Sequence, residues 1–447
     1  MTTSGNGKLK VLFICHNHPS LYPGGAEEYA LEIYKEMRDS GVAEPILLAR
    51  AGMTAETGAV AHPGTAFSVL GEDSNQYLMH CDLDDFEWVT LSQRTKELFT
   101  IHLREFLLTH QPDVVHIQHT LYLGIDLLRE IRNTLPNTPI VHTLHEFRPI
   151  CHRDGVLVRT GANENELCLE ASPRRCNECF PDLSQELFFM RDRFIRSHLS
   201  LVDLFLAPSR FLMDRYIDWG ISPERIRFSD YGRASVPEIP DAPGEVRNKL
   251  GYFGQLNPYK GVKVLLEAMR ILGENGNSAN GSNGPEEQPG DLEPTLRLHG
   301  ANLEKQSDEF QTEFNDLLDA TASNVTYIGK YDKSSVAELF SAVDWVVVPS
   351  VWWENSPLVI QEAFLYGRPV ICSNIGGMAE KVDDGINGLH FQTFDPSALA
   401  ATIRRAVESP NLWEQLRRGI PPIKTAEEDV RFLIDTYAEL IEARTDR

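Results

Sequence analysis

The 447-residue sequence has no apolar run long enough to cross a bilayer; its longest, such as Val346-Val347-Val348, are strand-length. Positive charge is scarce, with 42 Lys and Arg against 65 Asp and Glu, a formal net charge of −23. Such a surface repels nucleic acid phosphates and disfavours broad adhesion to anionic lipid. Arg191–Arg215 mixes arginines with apolar residues as a local docking patch would, but Asp alternates with Arg there, which suits a solvated helix face. Met1–Lys8 lacks the apolar core of a secretory signal, so the expected location is cytoplasmic, with peripheral contact at the inner membrane face as the secondary expectation. Seven cysteines, an odd number without a secretion signal, argue against disulfides. No G-x-G-x-x-G follows the first strand, which excludes the dinucleotide fingerprint. There is no Asp-x-Asp of the kind that would hold a catalytic metal between two carboxylates.

What is present is a soluble composition, 42% hydrophobic and 24% charged, in a chain too long for one ordinary core. Apolar strands at Lys10–Cys15, Pro45–Ala49, Asp113–Ile117, Ile140–Leu144 and Leu204–Ala207 alternate with helical patterns at Glu27–Met37, Thr95–Leu108 and Leu127–Leu135. Continuous apolar strands separated by helices imply a parallel sheet covered on both faces. A Pro-rich stretch at Val236–Gly244 interrupts the pattern. The alternation restarts at Leu250–Gly254 and continues to Val370–Cys372. The expected fold class is α/β, two doubly wound Rossmann-like domains facing across a cleft. The expected boundaries are 1–240 with a four-cysteine insert at 147–182, 241–425, and a terminal helix at 426–447. A polar Gly/Asn/Pro-rich insertion at Gly276–Asp291 reads as a surface loop without chemistry.

Four segments carry chemistry. Gly24-Gly25 stands between the first strand and its helix, where bare N–H groups and the helix dipole favour an anion; a plain tight turn explains it equally. His145 follows a buried strand and can donate to a sugar hydroxyl or a phosphate oxygen. Gly254-Gln255-Leu-Asn-Pro-Tyr-Lys260-Gly261 reads as strand, turn and helix start, with Lys260 offering a compact charge to a diphosphate. The strongest segment is Trp352-Trp353-Glu354-Asn355-Ser356-Pro357-Leu358, followed by Glu362. Its expected form is an exposed loop bearing Glu354, a helix capped by Asn355 or Ser356 with Pro357 as first helical residue, and Glu362 about two turns on, roughly 12 Å along the axis.

With these residues in order, the chain resembles the family-4 (group 1) retaining glycosyltransferases of the two-Rossmann-domain GT-B architecture, over nearly its whole length. The resemblance implies a UDP- or GDP-sugar donor, a glycan, lipid-linked or small-molecule hydroxyl acceptor, and a terminal helix crossing back to the first domain. It implies that Glu354 lies at the reacting centre, that Glu362 holds the ribose, and that Asn355, Ser356, Pro357 and Leu358 present backbone groups to sugar and phosphate. Lys260 would neutralise the diphosphate without a catalytic metal, Gly24 and Gly25 would contact it, and His145 would bind the sugar. Gln255 stands where relatives usually carry Arg, and Arg233 is the candidate replacement cation. Polysaccharide or glycoconjugate biosynthesis is the expected setting. A sugar-nucleotide epimerase, a disaccharide phosphorylase and a non-catalytic sugar-nucleotide-binding or zinc-centred interaction protein are the competing readings.

Cys151, Cys168, Cys176 and Cys179 fall just after His145, the last two as Cys-x-x-Cys. Four such residues suit a structural tetrahedral zinc that folds the insert. The competing readings are an iron–sulfur site, which uses the same ligands, and unligated thiols.

Overall fold

The computed structural model describes residues 8–51, 66–71, 73–160, 166–236, 246–279, 293–409 and 411–445. Most of the Gly276–Asp291 insertion and of the Val236–Gly244 junction lies outside them. The chain divides into two compact units, Met1–Ser235 with Lys424–Arg447, and Val236–Ile423. Among the described residues no helix is long and apolar enough to cross a membrane.

The first unit runs β1 (Leu9–Cys15), α1 (Gly25–Ser40), β2 (Ala43–Ala51), β3 (Phe67–Val69), β4 (Gln76–His80), β5 (Phe86–Glu87), β6 (Ser92–Gln93), α2 (Arg104–His110), β7 (Val114–Ile117), α3 (Leu127–Thr134) and β8 (Ile140–Thr143). It continues through α4 (Pro173–Cys179), α5 (Gln185–Leu199), β9 (Leu204–Ala207), α6 (Arg210–Trp219) and β10 (Ile226–Phe228). Its eight-stranded sheet has the order β10-β9-β8-β7-β1-β2-β4-β3, parallel except where β3 pairs antiparallel with β4. The central strands are buried along nearly their whole length, as near-continuous apolar runs require when helices cover both faces. Local chemistry sets the helix ends: the Ser209 hydroxyl accepts from Leu212 N–H at the start of α6, and Gly220, at φ 118°, closes it in the left-handed conformation that favours glycine. The helix expected over Thr95–Leu108 is instead a π-helical run, Leu98–Leu103, leading into α2.

The second unit runs β11 (Lys249–Gln255), α7 (Val262–Ala279), β12 (Thr295–Ala301), α8 (Asp308–Ala320), β13 (Val325–Tyr327), α9 (Val336–Ser341) and β14 (Trp345–Val348). Then come α10 (Leu358–Leu365), β15 (Val370–Ser373), α11 (Gly376–Lys381), β16 (Gly388–Phe391), α12 (Pro396–Glu408) and α13 (Leu412–Arg418). Its six strands are all parallel, in the order β13-β12-β11-β14-β15-β16. This is the doubly wound arrangement, in which strand order reverses beside the first strand, here between β11 and β14. In the first unit the reversal falls between β1 and β7. Ligands of such sheets bind outside the carboxyl ends of the strands at these reversal points.

The last helix, α14 (Ala426–Thr445), belongs to the first unit and packs on α1. Buried polar groups fix it there. Asp429, fully buried, accepts from the Tyr29 hydroxyl at 2.9 Å, Gly232 N–H at 2.9 Å and Lys424 Nζ at 2.6 Å. The Tyr437 hydroxyl meets His116 Nδ1 at 2.6 Å.

Candidate functional site

In the second unit, the segments that leave β11 and β14 lock together at the reversal point. After β11, the Asn257 side chain accepts from Tyr259 and Lys260 N–H, both at 3.0 Å, and so winds Pro258–Lys260 into a single 3-10 turn. Gly261 ends the turn at φ 70°; a Cβ there would sit 1.8 Å from the Pro349 carbonyl oxygen, so only glycine allows this approach. Val351 N–H then donates to the Tyr259 carbonyl at 2.8 Å. The result brings Lys260 Nζ to 2.6 Å from Glu354 Oε1.

Glu354 is held tightly. Its Oε1 also accepts from Ser350 Oγ at 2.8 Å and Trp352 Nε1 at 2.9 Å, while Oε2 takes none of these bonds. The Trp352 ring lies 5.4 Å from Lys260 Nζ. Two expectations need correcting. Glu354 is 5% exposed and not on an exposed loop, because the donors on Oε1 draw it inward. The helix cap is Pro357, without a side-chain cap bond, so Asn355 and Ser356 are buried residues preceding α10 and Pro357 is not its first helical residue. Leu358 is that residue, so Glu354 lies before the helix and Glu362 within it. Glu362 is partly buried, near enough to Tyr331 to add to the burial that raises that phenol. Gln255, at the end of β11, is exposed.

One residue of this site escaped the sequence reading. Gly377, in the first turn of α11, donates its N–H to the Glu354 carbonyl at 2.8 Å, and a Cβ on it would meet the Asn355 carbonyl oxygen at 1.6 Å. The signal was legible, since Gly376-Gly377 follows a strand just as Gly24-Gly25 does.

In the first unit the reversal point is lined by histidines. His16 follows β1 and His119 follows β7, with ring centroids 4.1 Å apart. Gly24 caps α1 without a side-chain bond, and the first turn of that helix already contains Glu27, whose Oε1 lies 3.0 Å from His16 Nε2. Burial pushes the Glu27 carboxyl up, but the bonds from His16 and Asn17 more than offset it and leave it below the usual range. His145 has both ring nitrogens occupied, Nδ1 by the Tyr231 hydroxyl at 2.7 Å and Nε2 by Gln118 Oε1 at 3.0 Å. Burial, reinforced by the neighbouring His142, His16 and His116, holds its pKa well below 6.5, so the ring is neutral at pH 7. Glu146 reaches His119 Nε2 at 3.5 Å and Arg148 Nε at 3.0 Å, and burial pushes its carboxyl up to about 8. Arg233 is 6% exposed and 3.4 Å from Glu32, with its backbone paired to Lys424 and Ala426 at the root of α14.

The cysteine expectation is not supported. Among the described residues no group of three or more His, Cys, Asp or Glu side chains is arranged to hold a metal ion. Cys151 and Cys168 spend their thiols on the Arg153 and Glu170 carbonyls. Burial raises Cys168, pushes Cys151 to about 11 and Cys176 to about 12, and the other three cysteines add to the rise at Cys176. The Asp-x-Asp sequence Asp82-Leu-Asp84 is an exposed turn, with Asp84 N–H donating to Asp82 Oδ1 at 3.1 Å.

Comparison with known proteins adds the following. Residues 238–420 match the family model "Glycosyl transferases group 1", and residues 23–228 match "Glycosyltransferase Family 4". The chain is 25% identical over 420 residues to a D-inositol 3-phosphate glycosyltransferase of Nocardioides, covering 89% of this chain and 80% of that protein. Among solved structures, sucrose-phosphate synthase from Thermosynechococcus elongatus superposes with a TM-score of 0.69 at 18% identity, covering 98% of this chain and 100% of that one. Anabaena HepE, solved with UDP and glucose, superposes with a TM-score of 0.63 at 17% identity, covering 96% and 100%.

Proposed function

Because the chain belongs to the group 1, family-4 glycosyltransferases and is an enzyme of that type, we propose that it moves a sugar from a UDP- or GDP-sugar to a hydroxyl acceptor with retention of anomeric configuration. The observation that carries this reading is the meeting of Lys260 and Glu354. They are delivered by the two strands that flank the reversal point of the second unit, and their side chains touch at 2.6 Å. Departure of the nucleoside diphosphate builds negative charge on its oxygens. Lys260 and the N–H groups at the start of α10, behind Asn355, Ser356, Pro357 and Leu358, are the groups this reading assigns to that charge.

In the same reading Glu354 Oε2, outside the three bonds to Oε1, faces the donor sugar. Glu362 takes the ribose hydroxyls, and Gln255 serves the diphosphate as a neutral donor in place of a cation. Gly24 and Gly25 offer backbone to the donor phosphates, and His145, kept neutral, donates to or accepts from a sugar hydroxyl. The attacking hydroxyl approaches the face from which the diphosphate leaves, and a leaving phosphate oxygen accepts its proton. Assembly of a polysaccharide or glycoconjugate is the proposed setting. The bound UDP of HepE and the name of the Nocardioides relative support this choice of substrates.

A panel of UDP-, GDP- and ADP-sugars in thermal unfolding identifies the donor, since a ligand that binds only the folded state stabilises it. Proton NMR of the product made from that donor then reads the anomeric configuration. Retention is expected; a product of inverted configuration overturns the mechanism, and no nucleotide-dependent shift with any sugar overturns the donor assignment.

A further inference from the structure

At the carboxyl end of β2, Arg50 is only 4% exposed, and no ion pair joins it to a carboxylate among the described residues. Its terminal nitrogens reach neutral oxygens at long range: Nη1 donates to Asn17 Oδ1 at 3.4 Å and Nη2 to the Cys81 carbonyl at 3.3 Å. Nε is buried without a partner. The negative charge this network leads to is Glu27, through Asn17 Nδ2 at 3.5 Å, and Glu27 is already paired with His16. Desolvating a guanidinium costs several kcal/mol unless an anion compensates it.

A second feature lies against the same residue. The Tyr122 ring covers the guanidinium at 5.2 Å. Tyr122 holds this position with φ at 60°, a left-handed conformation that costs a residue with a side chain about 1–2 kcal/mol. Its carbonyl is anchored by Gln93 Nε2 at 2.6 Å, from the β5–β6 hairpin. Trp88, in the turn of that hairpin, stands edge-on to Tyr122 at 5.8 Å and is 41% exposed. His16 and His119, at the reversal point, are close by, with the His16 ring 6.1 Å from Tyr122. A strained tyrosine, an open indole and a buried cation with no ion-paired carboxylate among the described residues thus meet at the carboxyl edge of the first unit's sheet.

We propose that Arg50, Tyr122 and Trp88 form an acceptor subsite for an anionic, hydroxyl-bearing compound, an acidic sugar or a phosphorylated polyol. The ligand's carbon skeleton lies against the two aromatic rings. Its carboxylate or phosphate takes the guanidinium fork in bidentate contact, replacing the two long bonds to Asn17 and Cys81. The proposal deepens the glycosyltransferase reading, on which it relies only for calling this ligand the acceptor.

The test is thermal unfolding of the full chain with saturating UDP or GDP present, so that groups reserved for the donor phosphates are filled. Inorganic phosphate, D-glucuronate and neutral D-glucose are compared at constant ionic strength. Wild type is expected to gain several degrees with phosphate or glucuronate and nothing with glucose, and the larger of the two anion shifts says whether the acceptor carries phosphate or carboxylate. Arg50→Met is expected to lose both shifts and, without anion, to melt no lower than wild type, because an uncompensated buried charge is gone. Arg50→Lys keeps the charge without the fork, and its shift is expected to be at most half that of wild type. Undiminished anion shifts in Arg50→Met, no anion shift in wild type, or anion-free melting of Arg50→Met more than about 5 °C lower would each overturn the proposal. Failure of both UDP and GDP to stabilise wild type would instead count against the donor reading, and the anion comparison still decides the subsite.

Discussion

Replacing Lys260 with Met removes the cation bonded to the nearly buried carboxylate of Glu354. In the pair, the Lys260 side chain is 28% exposed and that of Glu354 is 7%, with Nζ 2.6 Å from Oε1. At that separation the direct attraction is about 6 kcal/mol at an effective dielectric near 20. Partial exposure of Lys260 and the entropy of fixing its side chain reduce the net coupling to about 2 kcal/mol. Lys260→Met leaves Glu354 with only Ser350 Oγ and Trp352 Nε1, and is expected to cost about 3 kcal/mol, as stranding a buried charge does. Glu354→Gln is milder, about 1 kcal/mol, because the freed ammonium can turn to water. The double variant should then cost about 2 kcal/mol, well short of additivity. Equilibrium urea unfolding of all four proteins measures this. A Lys260→Met variant within about 0.5 kcal/mol of wild type, or an additive double variant, would refute the idea that these side chains hold each other in place.

Gly377→Ala drives a Cβ into the Asn355 carbonyl, 1.6 Å away by geometry, so the Glu354 loop must shift. Stability should fall by about 1–3 kcal/mol and donor nucleotide affinity about tenfold, read by calorimetry; unchanged affinity would separate the loop from the donor. Acid should weaken the first unit. Burial lowers His116 and His142 to about 3 and holds His119 and His145 well below 6.5. The folded state therefore binds fewer protons than the unfolded one, and each histidine costs about 1.4 kcal/mol per pH unit as pH falls below about 6.5. Glu146, raised to about 8 by burial, works in the opposite direction by the same amount per pH unit. Four against one leaves a net loss between pH 6.5 and 4.5, and His142→Leu should reduce the loss at pH 5 by about 2 kcal/mol. A wild-type melting temperature unchanged between pH 7.5 and 5 would contradict this.

Much of the fold was legible because parallel strands buried on both faces read as apolar runs: Leu204–Ala207 matches residue for residue. Short elements toward the β3 end of the first sheet, and the small hairpin, did not read this way. β3 and β4 carry polar residues such as Ser68, Gln76 and His80, and the β5–β6 hairpin is only two residues on each side. At the site, the sequence pointed to Lys260 and Glu354 separately, since spacing along the chain says nothing about two loops meeting across 94 residues. Gly377 was missed for the same reason, as its role depends on a backbone contact with Asn355. Burial misled the reading of Glu354 as exposed, because three donors converging on one oxygen are a tertiary fact. The four cysteines stay close in the fold, with Cys151, Cys168 and Cys179 all acting on Cys176, but among the described residues they form no group arranged to hold a metal ion.

The role proposed for Glu354 in glycosyl transfer from a nucleotide sugar is read by nucleoside diphosphate release with the donor and an acceptor present. Wild type is predicted to turn over, and Glu354→Gln, folded by circular dichroism and still binding nucleotide, to lose about 10²–10³-fold in kcat. Turnover by that variant near the wild-type rate would contradict the account.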